Sequence, residues 1–290
     1  MMGRRNRMRH TDRIDCAHTY SQRRCQLKEK PHLIRFCRSV GRSLKLTALI
    51  LCGALEVIVK RPATRQQRAE WLHQLCARAI HTMGVLVHCE GSFPERGVVI
   101  ANHLGYLDII LLAALHPCVF VAKSEIRGWP FLGWMTTMAG TVYVDRGRGG
   151  SAARAACGMQ AAEDAGIPVV FFPEGTTSNG TSVLKFHSGL LMQSLEAGQP
   201  ITPAYLRFRL SQNNGPTVTV ENDVSFCGDT PLLKHIFRLL ALRGIELDVR
   251  FANSPIVFST GTGQRKLQAA EARAAVMDLG GVRDTVTACP

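Results

Sequence analysis

An α/β fold, with a mostly parallel sheet covered by helices on both faces, follows from three features of the 290-residue sequence. Short apolar, β-branched runs alternate with helical stretches, which is the order of strand–helix–strand units with parallel pairing. The runs are continuously apolar instead of alternating with polar residues, so the sheet they build is covered on both faces. An apolar content of 46% argues against general disorder, and no run of 18 uninterrupted apolar residues argues for a polytopic membrane chain.

The elements follow in chain order. Residues 1–32 are rich in Arg, His, Gln and Ser without periodicity and read as a basic disordered tail. Residues 33–84 read as N-terminal helices that associate with a membrane. The first covers Leu44 to Val59, interrupted only by Lys45, Thr47 and Glu56; sixteen helical residues reach about 24 Å, short of the ~30 Å hydrocarbon core. The second spans 65–83, where Trp71, Leu75, Ala79 and Met83 repeat at i+4 with Leu72, Cys76 and Ile80 alongside. The two can pack as a hairpin and do not make an independently folding domain. The α/β body occupies 85–279. Its strands are expected at 85–89, 97–101, 118–122, 141–144, 167–172 and 201–206, and helices at 107–116, 131–139, 151–165 and 188–197. Two further strands, 216–221 and 245–251, are expected to run antiparallel and to flank a helix at 231–242. An Ala-rich helix at 264–278 closes the body before a tail at 280–290.

The charge is concentrated at the start. Thirteen Lys and Arg against Asp12, Asp15 and Glu29 give residues 1–45 a net +10 of the total +13, leaving +3 for the other 245 residues. A basic segment feeding a short apolar helix fits a peptide lying in the headgroup layer of an anionic membrane, where each basic side chain contributes ~1 kcal/mol. The alternative is a solvated tail ahead of a core-packed helix. No aromatic interleaving or reading motif accompanies the charge, so nucleic acid is not an expected partner. Ten cysteines are spread along the chain without a C-x-x-C pair, and Cys52, Cys76 and Cys118 sit in apolar surroundings. They read as reduced and buried, without a metal or disulfide framework, and place the protein on the cytoplasmic face of a membrane, peripheral or monotopic.

Four apolar runs hand over to polar residues at their carboxyl ends. Residues 97–101 precede Asn102-His103, 118–122 precede Lys123, 141–144 precede Asp145-Arg146, and 167–172 precede Pro173-Glu174-Gly175-Thr176. In an open parallel sheet these ends share one edge, where α/β proteins bind ligands. His103 and Asp108 form an H-x-x-x-x-D pair, as do His10 and Asp15 in the tail, so context and not spacing distinguishes them. His103 follows a strand, Asp108 opens a Leu- and Ile-rich helix, and Gly105 permits a tight turn between them. An Asp holding one imidazole nitrogen fixes the tautomer and leaves the other as general base; the alternative is a pair that only caps the helix. With no G-x-S-x-G elbow or reactive Cys motif, the substrate must bring the hydroxyl. Lys123, Arg146 and Arg148 supply cationic donors suited to phosphate or carboxylate. The run 172–180, with Glu174, Gly175, Thr176 and Thr177, offers backbone donors and hydroxyls that can orient a polar acceptor.

These residues resemble the glycerolipid/lysophospholipid acyltransferase family. Four blocks match in order: 102–108 (NHLGYLD), 140–146 (GTVYVDR), 172–176 (FPEGT) and 200–204 (PITPA), with a similar connector from Lys123 to Trp134. The resemblance covers roughly 70–210. It implies an α/β acyltransferase that needs no cofactor and moves a fatty acyl group from acyl-CoA or acyl-carrier protein to a lysolipid hydroxyl, first 1-acyl-sn-glycerol-3-phosphate. His103 would be the general base, Asp108 its orienter, and Lys123, Arg146 and the Glu174–Thr176 loop the acceptor site. Many members acting on lysophosphatidate carry Arg directly after Glu-Gly-Thr. Here that place is Thr177, and a second basic place is His187, which points toward another lysolipid such as lyso-ornithine lipid. Backbone amides at 104–106 or 175–177 are both open as holders of the oxyanion. The rival readings are a non-catalytic basic lipid-binding protein and a hydrolase that uses the same pair on water.

Overall fold

The computed structural model describes residues 11–129, 132–145, 150–228, 230–259 and 264–282, with side chains from His32 onward. Two helices lead, α1 (Thr11–Lys60) and α2 (Arg65–Met83). The chain can start α2 at residue 65 because Thr64 and Gln67 cap it reciprocally. The Thr64 hydroxyl accepts from Gln67 N at 3.2 Å and Gln67 Oε1 accepts from Thr64 N at 3.2 Å. α1 runs back through 11–32, where the sequence reading expects disorder. Residues 11–30 hold neither Gly nor Pro and are rich in Arg, Gln and Lys, which lose little freedom in a helix.

The body contains strands β1 (Val85–Glu90), β2 (Val98–Ala101), β3 (Val119–Lys123), β4 (Val142–Val144), β5 (Val169–Phe171), β6 (Ile201–Leu210) and β7 (Ile245–Phe251). Between and after them lie α3 (Tyr106–Leu115), α4 (Leu132–Met138), α5 (Ser151–Glu163), α6 (Ser188–Glu196), α7 (Val220–Asp223), α8 (Leu232–Leu240) and α9 (Arg265–Gly280). Among the described residues the strands form one sheet in the order β1-β7-β6-β2-β5-β3-β4. β6, β2, β5, β3 and β4 are mutually parallel, whereas β7 is antiparallel to β6 and parallel to β1. The antiparallel direction expected for β7 is present, but β1 does not belong to the parallel set. The link from β1 to β2 spans only residues 91–97, too short for the crossover of about a dozen residues that parallel strands require.

The other expected strand, 216–221, is a turn leading into α7. Thr219 caps that helix by accepting from Asn222 N at 3.3 Å, and Asp223 Oδ2 accepts from Thr219 N at 3.1 Å. Alternating β-branched residues here are overruled by side chains that bond their own backbone.

The central strands are buried on both sides, whereas the edge strand β1 is largely exposed. Val98 and Ile100 pack with Ala155, Met159, Leu191, Ala272 and Val276 from α5, α6 and α9. Val99 and Ala101, on the opposite face, pack with Leu107, Leu111, Leu239 and Leu240 from α3 and α8. The N-terminal helices are tied to this body. Arg38 Nη1 donates to Ala241 O at 2.7 Å, Ser39 Oγ to Phe237 O at 2.5 Å, and Arg42 Nη1 to Leu242 O at 2.7 Å. α1 thereby satisfies carbonyls that the end of α8 leaves open. Of the described cysteines Cys76 and Cys118 are buried, but Cys37, Cys52, Cys89 and Cys157 are exposed, against the expectation of burial.

Candidate active site

The parallel strands bring their carboxyl ends to one edge, and His103 stands two residues past the end of β2. Its Nδ1 lies 2.9 Å from Asp108 Oδ2. The imidazole stacks on Phe172, past the end of the neighbouring β5, with ring centroids 4.0 Å apart and planes 10° apart. Asp108 is the third residue of α3, fully buried, and its Oδ2 also accepts from Leu104 N at 2.5 Å and Gly105 N at 2.9 Å. A carboxylate holding two amides at a helix N-terminus cannot swing away, so it selects the ring tautomer that donates from Nδ1. Nε2, bonded to no described group, is left with its lone pair on a side chain 16% exposed. That is the geometry of a general base awaiting a proton.

This bonding rules out two of the amides considered for an oxyanion, since those of Leu104 and Gly105 are committed to Asp108. Gly175 N donates to Phe172 O at 3.1 Å. The amides of Thr176 and Thr177 donate to no described residue. Gly105 is required for a different reason than a left-handed turn: its φ of 163° is extended, but a Cβ there would sit 2.9 Å from Phe226 Cβ. The close approach, not the dihedral, excludes a side chain.

Glu174 meets the His103 loop from across the sheet edge. It is 2% exposed, Oε1 accepts from His103 N at 2.9 Å and Oε2 from Leu184 N at 3.2 Å. Burial pushes its carboxyl up to about 7, against the pull of those two amides and of the Arg273 charge. Each oxygen thus accepts one backbone amide, and the residue braces the turn. Ser178 completes the brace, donating from N at 2.8 Å and from Oγ at 3.2 Å to His103 O. Gly175, buried behind Glu174, adopts a left-handed φ of 69°. Thr176 is exposed and Thr177 half-buried, so both stand on the rim.

Lys123 ends β3, two strands from β2 along the same edge and half-buried. Arg146 and Arg148 lie outside the described residues. His187 is exposed at the start of α6, its N donating to Pro173 O at 2.8 Å. Sequence reasoning missed what Asn102 does: buried, it accepts from Leu206 N at 2.8 Å and donates to Leu206 O at 2.9 Å, stitching the end of β2 to β6. The signal available was a polar residue directly after a fully apolar strand. Ser178 and Glu174 as backbone anchors carried no local signal.

The model of a family described as "Acyltransferase" matches residues 84–207. A lyso-ornithine lipid O-acyltransferase from Pseudomonas aeruginosa is 37% identical over 173 residues, covering 59% of this chain and 62% of that protein. One from Brucella abortus is 33% identical over 217 residues, covering 70% of this chain and 77% of the relative. A 1-acyl-sn-glycerol-3-phosphate acyltransferase from Neisseria gonorrhoeae is 37% identical over 118 residues, 40% of this chain and 45% of that one. The crystal structure of the 1-acyl-sn-glycerophosphate acyltransferase from Thermotoga maritima shares the fold, with a TM-score of 0.54 at 20% identity, covering 84% of this chain and 97% of the other. The dyad, the edge that carries it and these likenesses agree: the chain belongs to the glycerolipid/lysophospholipid acyltransferase family.

Proposed function

We propose that this protein transfers a fatty acyl group from a thioester, acyl-CoA or acyl-carrier protein, to the hydroxyl of a lysolipid at a membrane surface. The observation that carries the reading is His103 Nδ1 held 2.9 Å from a fully buried carboxylate, with Nε2 free at the carboxyl edge of the parallel strands. In the reaction Nε2 takes the proton of the acceptor hydroxyl as the oxygen attacks the thioester carbonyl. Asp108 stabilises the imidazolium that forms, and the thiolate leaving group takes the proton back. General-base assistance of this kind contributes ~10²–10⁴-fold. Of the amides in the two stretches, those of Tyr106, Thr176 and Thr177 stay uncommitted and can meet the oxyanion. Lys123 and Arg146 supply positive charge for the anionic ends of donor or acceptor.

Lyso-ornithine lipid is the acceptor we favour over 1-acyl-sn-glycerol-3-phosphate. Thr177 on the rim is uncharged where a cation would meet a phosphate, and two relatives that match more than half of this chain at 37% and 33% identity are named for the amino-acid lipid. A panel of lysolipid acceptors with labelled acyl thioester tests this. Lyso-ornithine lipid should be the better substrate, and Thr177→Arg should raise turnover of 1-acyl-sn-glycerol-3-phosphate. An identical acceptor profile in parent and variant would mean Thr177 does not choose the headgroup.

Docking to an anionic membrane rests on α1. Leu44, Leu51, Leu55 and Ile58 lie on one helix face and are between 59% and 67% exposed. No helix of the described residues is long and apolar enough to cross a membrane. The proposed placement is peripheral or monotopic, on the cytoplasmic face.

A further inference from the structure

A wall built by residues 219–228 and 230–240, beyond the stretch that the family model matches, closes the side of the turn carrying His103. Phe226 N donates to Leu104 O at 2.8 Å, and Phe226 occupies the space that Gly105 leaves open. Ser225 Oγ donates to Asn179 O at 3.2 Å, reaching the loop that bears Glu174. Tyr106, Phe226 and His235 form a trio of edge-on rings with centroids 5.2–5.7 Å apart. At its centre Tyr106 Oη lies 2.9 Å from His235 Nδ1, and His235 Nε2 lies 3.0 Å from Ser225 O.

The hydrogen positions follow from the partners. A carbonyl only accepts, so Nε2 carries the hydrogen and donates to Ser225 O. Nδ1 is then an acceptor, and the Tyr106 hydroxyl donates to it. His235 is 2% exposed, and burial lowers its pKa, which keeps the ring neutral and the acceptor available. α8 is itself fixed to α7 by Arg238 Nη2 on Asp223 Oδ1 at 2.8 Å. Tyr106 is the first residue of α3, and Asp108 lies two residues on in the same turn.

We propose that His235 is a positioning residue for acyl transfer: its Nδ1 holds the Tyr106 hydroxyl and so fixes the first turn of α3, on which Asp108 rides, against the strand end that carries His103. A filler histidine would need neither a defined tautomer nor a partner next to the catalytic pair. A small shift of this turn lengthens the His103–Asp108 bond directly, and misplacement by ~1 Å can cost ~10²-fold in rate.

The inference rests on His103 acting as general base, and the test separates the two. Full-length protein is assayed in detergent with labelled acyl-CoA and the best acceptor, as parent, Tyr106→Phe, His235→Gln, His235→Asn, Tyr106→Phe with His235→Gln, and His103→Ala. Gln keeps a donor for Ser225 but offers nothing at the Nδ1 place, whereas Asn puts an oxygen there. Tyr106→Phe and His235→Gln should each lower kcat by roughly tenfold with both KM values unchanged, and the double variant should be no slower than either. His235→Asn should stay within about threefold of the parent. Parental kcat in Tyr106→Phe and His235→Gln, or losses that multiply in the double variant, with His103→Ala inactive, would overturn the positioning role alone. An active His103→Ala would overturn the general-base reading and this role with it.

Discussion

Removing Asp108 should separate two duties that one oxygen performs. Oδ2 accepts from the Leu104 and Gly105 amides and from His103 Nδ1, and the residue is fully buried. In Asp108→Ala the ring can turn toward water, but the two amides cannot. Each buried donor left without a partner costs about 1–3 kcal/mol, so the pair costs about 2–6 kcal/mol. At about 2–4 °C per kcal/mol for chains approaching this size, Tm should fall by at least about 4 °C. Asp108→Asn behaves differently. Its carbonyl oxygen can still accept both amides and Nδ1–H, and its NH2 lies where Oδ1 already has no partner. Stability should stay near the parent. The imidazolium formed in the reaction, however, loses a charge-assisted bond for a neutral one, a difference of about 1–1.5 kcal/mol and hence about tenfold in kcat. Scanning fluorimetry and initial rates of labelled acyl transfer read the two effects. An Asp108→Ala protein as stable as the parent, or an Asp108→Asn protein with parental kcat, refutes the reasoning.

Two further outcomes are expected. Glu174 has its pKa raised in the folded protein from 4.5 to about 7, so the fold favours its protonated form. The contribution is complete below the ordinary carboxyl pKa and is lost as pH rises through about 7, about 3 kcal/mol at ~1.4 kcal/mol per unit. Parental Tm should therefore drop between pH 5 and 8 relative to Glu174→Gln, and parallel curves would contradict the burial-raised carboxyl. Leu51 and Leu55 are 63% and 59% exposed on α1. If that face enters a membrane, Leu51→Glu with Leu55→Glu forfeits about 3–6 kcal/mol of apolar burial. Sedimentation with phosphatidylglycerol vesicles should show at least about a hundredfold weaker partition, and unchanged partition would remove α1 as the docking element.

The alternation of apolar runs and helices was legible because burial on both faces leaves β2 and β5 wholly apolar, and period-3.6 stripes mark the helices. Strand direction was not legible for β1, whose residues are as apolar-led as those of the parallel strands; the seven residues after it carried the information. The Thr-Val-Thr-Val run at 217–220 imitates a strand, and only the cap geometry of Thr219 and Asp223 decides for a helix. At the site, His103 and Asp108 were readable since both lie within one turn. The bracing contact of Glu174 was not legible because its burial is a tertiary fact: its partner His103 N lies 71 positions away. Asn102 to Leu206 and Tyr106 to His235 span 104 and 129 positions, and no local pattern announces such pairs.

The most direct measurement is kcat of His103→Ala for acyl transfer from labelled acyl-CoA to a lysolipid in detergent, alongside its Tm. Asp108 keeps both amides when the ring is removed, so the fold should melt within a few degrees of the parent, on the order of 1 kcal/mol. Turnover should fall by at least ~10², the low end of what a general base supplies. A folded His103→Ala protein that acylates lysolipid at the parental rate would contradict the account.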